Sequence, residues 1–557
     1  MKLRALLNSA GIYILFCTAF TLISIVSYAQ ARLTFSIDMQ DLIDSSYFKP
    51  DDQLVVRGSF NDWSGRDMEL SADDRHPAVF SLTVELDVEK DDKLEFKYVI
   101  ISVDGAEYWE SNPNPDNPGY GNRVLMVSGT EMTVPITRFV YGDDVRGRVL
   151  SWEDKLKADF RQARMLLEEN HPALYDYSTK EAMDSLFDGY YALIDSSMST
   201  SIFYQNLSFV LAHIGCGHTK LFIPESYWAA SPDRFFPLQI LVTEKKIMIT
   251  GAYSNEKEIP VGSEIIAIND VPAREIINKL YEQESSDGFI ASFRYNSIQK
   301  RFPLKYALNY GYPEVFSITY IPAGHTAPAN RAFSPASKEL IDPVLKRGDE
   351  LSFNQVEGHD AAVMTINTFG YYSEVPMFRA FIDSSFQVLN DQNIGNLIID
   401  LRGNDGGDPY CASYMFSYLQ KEPVPYFIKP YHHYDTLARP IYLPENHYTG
   451  KTYVIIDGGG FSTTGHVCGL MKYHKLVSFV GTELGATYTC TGNVMYPPLN
   501  NTQIFLGTAR ESRYTAAVEG MNAMQGVEPD YVVETRQEDI LQGRDAQMEY
   551  ILGLLSQ

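Results

Sequence analysis

The feature that most limits what this chain can fold into is a pair of apolar runs that each break into glycines. Residues 396–401 read Asn-Leu-Ile-Ile-Asp-Leu and run into Arg402-Gly403-Asn404-Asp405-Gly406-Gly407. Residues 452–457 read Thr-Tyr-Val-Ile-Ile-Asp and run into Gly458-Gly459-Gly460-Phe461-Ser462-Thr463-Thr464-Gly465-His466. Short apolar runs bounded by turn signals are buried strands, and residues 361–366 supply another. Helical patterns lie between them (375–390) and after the last (464–473). Strands that alternate with helices predict βαβ units and a largely parallel sheet.

At 557 residues the chain is too long for one core, so several domains are expected. From 32 to 140 the texture is all-β. Short alternating stretches at 54–56, 80–84, 94–99 and 124–127 are separated by turn-rich spans such as 112–119, the pattern of a β-sandwich. Helical spacing then appears at 152–170, 179–196 and 202–214, making 150–235 a helical segment. From 236 the texture returns to β, with a strand within 262–270 and a helix from Ala273. The expected fold class is therefore multidomain α/β, ending in an α/β core over 350–555.

The first residues read as an address. Lys2 and Arg4 precede an apolar run from Gly11 to about Tyr28, and Ala29-Gln30-Ala31 follows, so 1–31 is expected to be a secretory signal peptide. If retained, it would anchor the chain to a membrane; if cleaved, the protein is periplasmic or extracellular. Cleavage leaves Cys216, Cys411, Cys468 and Cys490. None forms a C-x-x-C, which argues against a zinc knuckle or thioredoxin motif and leaves buried thiols and a disulfide both open. Asp and Glu total 71 against 46 Lys and Arg, a net charge of −25 that argues against duplex nucleic acid as a partner. No metal or organic cofactor is called for.

Ser462 stands where a buried strand turns through glycines into a helix. Such a turn presents a hydroxyl at the sheet edge beside the free N–H groups of a helix N-terminus, the arrangement of a nucleophile near an oxyanion hole. Serine is also a good N-cap, and that reading stays open. The glycines at 403–407 let backbone N–H groups approach a substrate, but their spacing matches neither the G-x-x-x-x-G-K-[ST] nor the G-x-G-x-x-G phosphate loop.

With His213-Ile214-Gly215-Cys216-Gly217-His218-Thr219-Lys220 upstream and Gly526-Val527-Glu528-Pro529-Asp530 downstream, these segments resemble, in order, the tail-specific (C-terminal-processing) serine proteases and their tricorn and nisin-resistance relatives. The resemblance spans about 150–555 and implies an α/β protease core, with 236–345 as a PDZ-like domain and connector that captures an extended peptide. It places the nucleophile on Ser462. The branch that uses lysine as base has it 25 positions later; here that position is Thr487, and no lysine follows Lys475. The other branch uses a histidine in a Gly-His-Thr setting, which falls on His218. The resemblance further implies Glu519 as orienter of that histidine and N–H groups of Gly406, Gly407 and Thr463 as oxyanion donors. His466, one turn after Ser462, is a weaker candidate for the base.

The sandwich carries its own resemblance. Gly58-Ser59-Phe60-Asn61-Asp62-Trp63, Lys97-Tyr98 and Trp109-Glu110-Ser111-Asn112-Pro113 are similar to starch- and glycogen-binding modules. Carried over, Trp63, Lys97, Trp109 and Asn112 would contact a glucan. The expected function is an exported serine endopeptidase acting on a peptide or protein. Two readings compete: a catalytically inactive relative that binds a ligand or polysaccharide, and a glycoside hydrolase, for which no carboxylate pair stands out.

Overall fold

The structure, a computed structural model, describes residues 30–44, 47–110, 121–140, 151–253, 259–345, 351–510 and 512–556. The leader (all but its last two residues) and Asn112 lie outside them. No helix among the described residues is long and apolar enough to cross a membrane. The chain divides into two compact units, residues 1–134 with 139–142, and 135–138 with 143–557.

In the first unit, strand Gln30–Asp38 runs antiparallel to Val79–Asp87. A second sheet is organised by Lys93–Ile101, which pairs antiparallel with Gln53–Gly58, Glu107–Trp109 and Arg123–Met126. Period-2 alternation decides what is buried. Leu94, Phe96, Tyr98 and Ile100 join Leu33, Phe35 and Ile37 of the other sheet in one core. Val99 and Ile101 face the other way, with Val55 and Trp109.

The second unit is built around a sheet whose strands run Leu351–Gln355, Ala361–Ile366, Asn396–Asp400, Lys451–Ile456, Ser478–Gly481 and Tyr531–Val532. The first pair is antiparallel and the rest are parallel. Helices Val375–Asp391, Pro409–Ser417 and Thr463–Tyr473 cover it, and the runs 397–399 and 452–456 at its centre are buried, as expected of parallel strands. Because neighbouring strands share a direction, the loops after Ile366, Asp400 and Ile456 emerge at one carboxyl edge, where open α/β sheets bind ligands.

A separate antiparallel sheet (Leu238–Val242, Ile247–Ala252, Glu264–Ile268, Phe316–Ile321, Ala329–Phe333) packs on helices Ala273–Tyr281 and Phe302–Tyr310. Helices Trp152–Asn170, Lys180–Ala192 and Thr200–Ala212 form a third core. That core includes Leu499, Ile504 and Leu506, which belong to a long excursion from the parallel sheet. Strand Lys220–Phe222, just beyond the helices, pairs with Phe505–Gly507 of the same excursion. This pairing carries the chain after the helices to the carboxyl edge of the sheet.

Candidate active site

Ser462 lies between strand Lys451–Ile456 and helix Thr463–Tyr473, with φ +56° and ψ −121°. A non-glycine residue with positive φ costs roughly 1–3 kcal/mol, and such strain gathers at functional sites. Its hydroxyl does not cap the helix, so the N-cap reading falls. Instead Oγ lies 3.1 Å from His218 Nε2, across 244 residues of sequence. This is hydrogen-bond reach for a serine and a general base.

The loops that hold the serine are tied to each other. Asn404 Nδ2 donates to the Ile366 carbonyl, its Oδ1 accepts from the Thr464 hydroxyl, and its carbonyl accepts from Phe461 N–H at 2.9 Å. Asp457 accepts from Gly403 and Gly459 N–H groups. Gly406 has φ +95°, and a Cβ there would come within 2.8 Å of Ser462 Cβ. Only glycine lets the two turns approach so closely.

Of the three expected oxyanion donors, Gly406 is a correction. Its N–H is already donated to Asn404 Oδ1 at 3.0 Å. Gly407 and Thr463 fit better: neither N–H has a hydrogen-bond partner among the described residues, and the two residues are joined by a 2.6 Å bond from the Thr463 hydroxyl to the Gly407 carbonyl.

His218 is wedged by its neighbours. Its ring packs on Phe461 at 4.6 Å between centroids, and Phe461 stacks on Phe293 at 4.4 Å. Enclosure by protein, then the Lys220 charge, lower its pKa to about 3. It is therefore neutral at pH 7, the state a base must be in. The expected orienter does not reach it. Glu519 is exposed, whereas His218 Nδ1 is closed off from solvent without a partner. A carboxylate held in water cannot supply a buried hydrogen bond.

His466 is buried, and its Nε2 is 3.4 Å from Cys490 Sγ, which is itself 4.0 Å from Ser462 Oγ. It touches the cysteine rather than the serine. Thr487, where a lysine base would stand, is buried and donates to the Asn522 carbonyl at 3.3 Å. Cys216, Cys411, Cys468 and Cys490 are all free and buried.

Ser462, His218 and Cys490 open into a cavity of about 500 Å³, which Tyr372, Tyr434 and Tyr496 also line. Cys216, His218 and Asp287 each bring a donor atom within 4.8 Å of the others. As a metal centre this set is compromised, because burial raises the Cys216 pKa and disfavours the thiolate that a metal needs. Asp287 carried no sequence signal: it sits in Glu284-Ser285-Ser286-Asp287-Gly288, outside every motif.

In the first unit, Lys97 and Trp109 share one sheet face, since Lys97 and Val99 alternate together and Val99 is paired with Trp109. The Arg57 guanidinium lies 5.1 Å over the Trp109 ring, and the indole N–H donates to Glu107. These contacts occupy the ring as packing and give no support to sugar stacking. Trp63 is half-buried in a turn with φ +56°.

Residues 360–533 match the family model described as Peptidase family S41. The match takes in Ser462 and the 402–407 turn; His218 and Asp287 lie outside it. Among curated proteins, none matches the chain. Among solved structures, mature CPAF is 14% identical with a TM-score of 0.51, over 71% of this chain and 96% of that one. Mature CPAF complexed with lactacystin gives 13% and 0.52, over 72% and 98%. At such identities the likeness is one of fold.

Proposed function

We propose that this chain, whose residues 360–533 match the model of Peptidase family S41, is a serine-type peptidase that hydrolyses peptide bonds through an acyl-enzyme on Ser462 with His218 as general base. The observation that carries the reading is the 3.1 Å approach of His218 Nε2 to a serine hydroxyl held at positive φ with no capping role. In the cycle, Ser462 Oγ attacks the peptide carbonyl as Nε2 takes its proton. Nε2 then returns that proton to the leaving amine. Water, deprotonated in turn by His218, releases the acyl group. The N–H groups of Gly407 and Thr463 would hold the oxyanion, aimed in advance at charge that develops in the transition state.

The antiparallel sheet of 238–333 serves, in this reading, as a PDZ-like element that presents an edge strand to an extended peptide. The leader read over 1–31 sends the protein out of the cytoplasm.

The test is covalent. Purified protein is expected to take one fluorophosphonate label, at Ser462, and to cleave a mixture of peptides. Ser462→Ala abolishes both; His218→Gln lowers turnover by about 10³-fold or more while leaving the fold intact. A wild-type protein that neither labels nor cleaves would leave a binding relative with an inert serine.

A further inference from the structure

The imidazole of His218 has two nitrogens, and only one is engaged. Nε2 meets Ser462, while Nδ1 is buried without a partner. Leaving a buried polar atom unpaired forfeits its hydration with nothing in return, so each such atom in a native fold asks for an explanation. Asp287 Oδ2 is another, in a residue only 4% exposed. Its other oxygen accepts the N–H of Gly217, directly before the histidine, at 2.8 Å. The loop around it is fastened to the histidine loop twice more. Ser285 Oγ donates to the Thr219 carbonyl at 2.7 Å, and Gly288 N–H donates to the Gly215 carbonyl at 3.0 Å. Three hydrogen bonds therefore tie residues 285–288 to 215–219.

A ring nitrogen of His218, a carboxylate oxygen of Asp287 and the Cys216 sulfur lie within 4.8 Å of one another. The sulfur is spoken for: Thr491 Oγ1 is 3.0 Å away and Thr219 Oγ1 3.2 Å. What remains is one donor and one acceptor, both buried and both unpaired. We infer that Asp287 is the positioning residue of His218: its free carboxylate oxygen, near the ring but not bonded to it in this structure, closes on the Nδ1–H in the working enzyme and so fixes the tautomer in which Nε2 is open to the Ser462 proton. The inference rests on the reading of Ser462 and His218 as nucleophile and base.

The electrostatics agree with the geometry. When Nε2 takes the serine proton, an imidazolium forms in an enclosure that opposes it, with Lys220 adding like charge. A carboxylate one hydrogen bond away offsets that cost without itself taking the proton. Burial raises the Asp287 pKa to about 6, so at neutral pH Asp287 is ionised and His218 neutral, the resting state the cycle needs. The other charged or titratable groups that bear on the pair are Arg513, Lys220, Tyr177, Cys216 and Cys490 on Asp287, and His466, His171 and Lys220 on His218.

Asp287→Asn keeps the shape and removes the charge. It is expected to lower kcat by about 10³-fold with KM changed far less, because the amide can hold the wrong tautomer. Asp287→Glu is expected to recover part of that loss. Wild-type kcat/KM should climb through an acidic limb near pH 6 that the Asn variant lacks. A readout free of activity is the proton spectrum of ¹⁵N-histidine-labelled enzyme: a strongly deshielded Nδ1–H of His218, present in wild type and lost in Asp287→Asn. Thermal melts identify an unfolded variant, in which case the wild-type spectrum and pH limb decide. A His218 Nδ1–H that is undetected or exchanges as in free imidazole overturns the inference. So does a loss in Glu519→Gln larger than in Asp287→Asn. Fluorophosphonate labelling separates the two readings: if Ser462 labels while these results fail, Asp287 alone is wrong; if Ser462 never labels, the nucleophile reading falls first.

Discussion

At the scale of single residues, the site depends on backbone that only glycine can adopt, and this yields a sharp prediction. Gly407 has φ +136°, and a Cβ on it would sit 2.2 Å from Gly370 N and 2.3 Å from the Phe369 carbonyl carbon. Both objects are backbone, so neither can swing away as a side-chain tip would. Gly407→Ala must therefore displace either the 367–371 loop or the 406–408 turn, and the second carries a proposed oxyanion donor. The expected cost is about 2–4 kcal/mol of stability, from overpacking added to a strained φ. A loss of turnover should accompany it even where the protein stays folded. A Gly407→Ala protein with wild-type melting and wild-type kcat would show that this turn neither packs nor works as described. The residue scale is also where the sequence was most and least informative. Ser462 is legible because strand, glycines, serine and helix form a local pattern whose geometry follows from backbone rules. His218 is legible only through the company of Gly217 and Thr219. Gly406 looks identical to Gly407 on paper, yet its N–H is consumed by Asn404, a contact no spacing reveals. Asp287 is invisible: it reaches its place by tertiary packing between two loops that share no motif.

At the scale of elements, strands and helices with strong apolar periodicity were readable nearly to their ends. The helix expected over 152–170 is Trp152–Asn170, and the strand expected over 396–401 is Asn396–Asp400. What could not be read is how elements distant in sequence share a core. The pairing of Lys220–Phe222 with Phe505–Gly507 is set by both segments at once and leaves no trace in either. The same holds for Arg402, which sits in the glycine turn and looks like a site residue. Its guanidinium instead bonds both carboxylate oxygens of Asp545, at 2.9 and 2.7 Å, while Asp400 accepts from its Nε and Nη2. Asp545 in turn caps the final helix, Ala546–Leu555, through Met548 N–H. Arg402 is thus a clamp between the catalytic strand and the last helix. Arg402→Met is expected to cost about 2–4 kcal/mol by stranding two carboxylates, since a planar bidentate fork has no substitute among apolar side chains. Fluorophosphonate labelling of the folded fraction should persist. If labelling disappears while hydrogen exchange in 546–555 stays slow, Arg402 acts on the site itself and the clamp account fails.

At the scale of the whole molecule, the three histidines near the site make the second unit sensitive to acid. Burial lowers His171 and His466 to about 4, and His218 lies lower still, against an ordinary value of 6.5. The unfolded chain therefore binds protons at these positions below pH 6.5 that the folded chain refuses until about pH 4. Stability must fall with pH across that window, because the state that binds more protons gains as protons become plentiful. At 1.36 kcal/mol per pKa unit, each of the three histidines accounts for a loss on the order of 3 kcal/mol between pH 7 and 4. Asp287 pulls the other way. Its folded pKa of about 6 lies above the ordinary carboxylate value of 3.8, so below pH 6 the folded state binds the extra proton and recovers part of the loss. The net expectation is a stability that drops steeply from pH 6.5 to 4, measured by urea unfolding of the protein. His466→Gln should flatten that drop by about a third of the three-histidine total, whatever its effect at pH 7. The variant isolates the histidine term, because His466 touches Cys490 and aromatic rings rather than a carboxylate. A pH dependence unchanged by His466→Gln would mean that this ring is already protonated in the folded state, and the apolar enclosure beside Ser462 would then have to be abandoned.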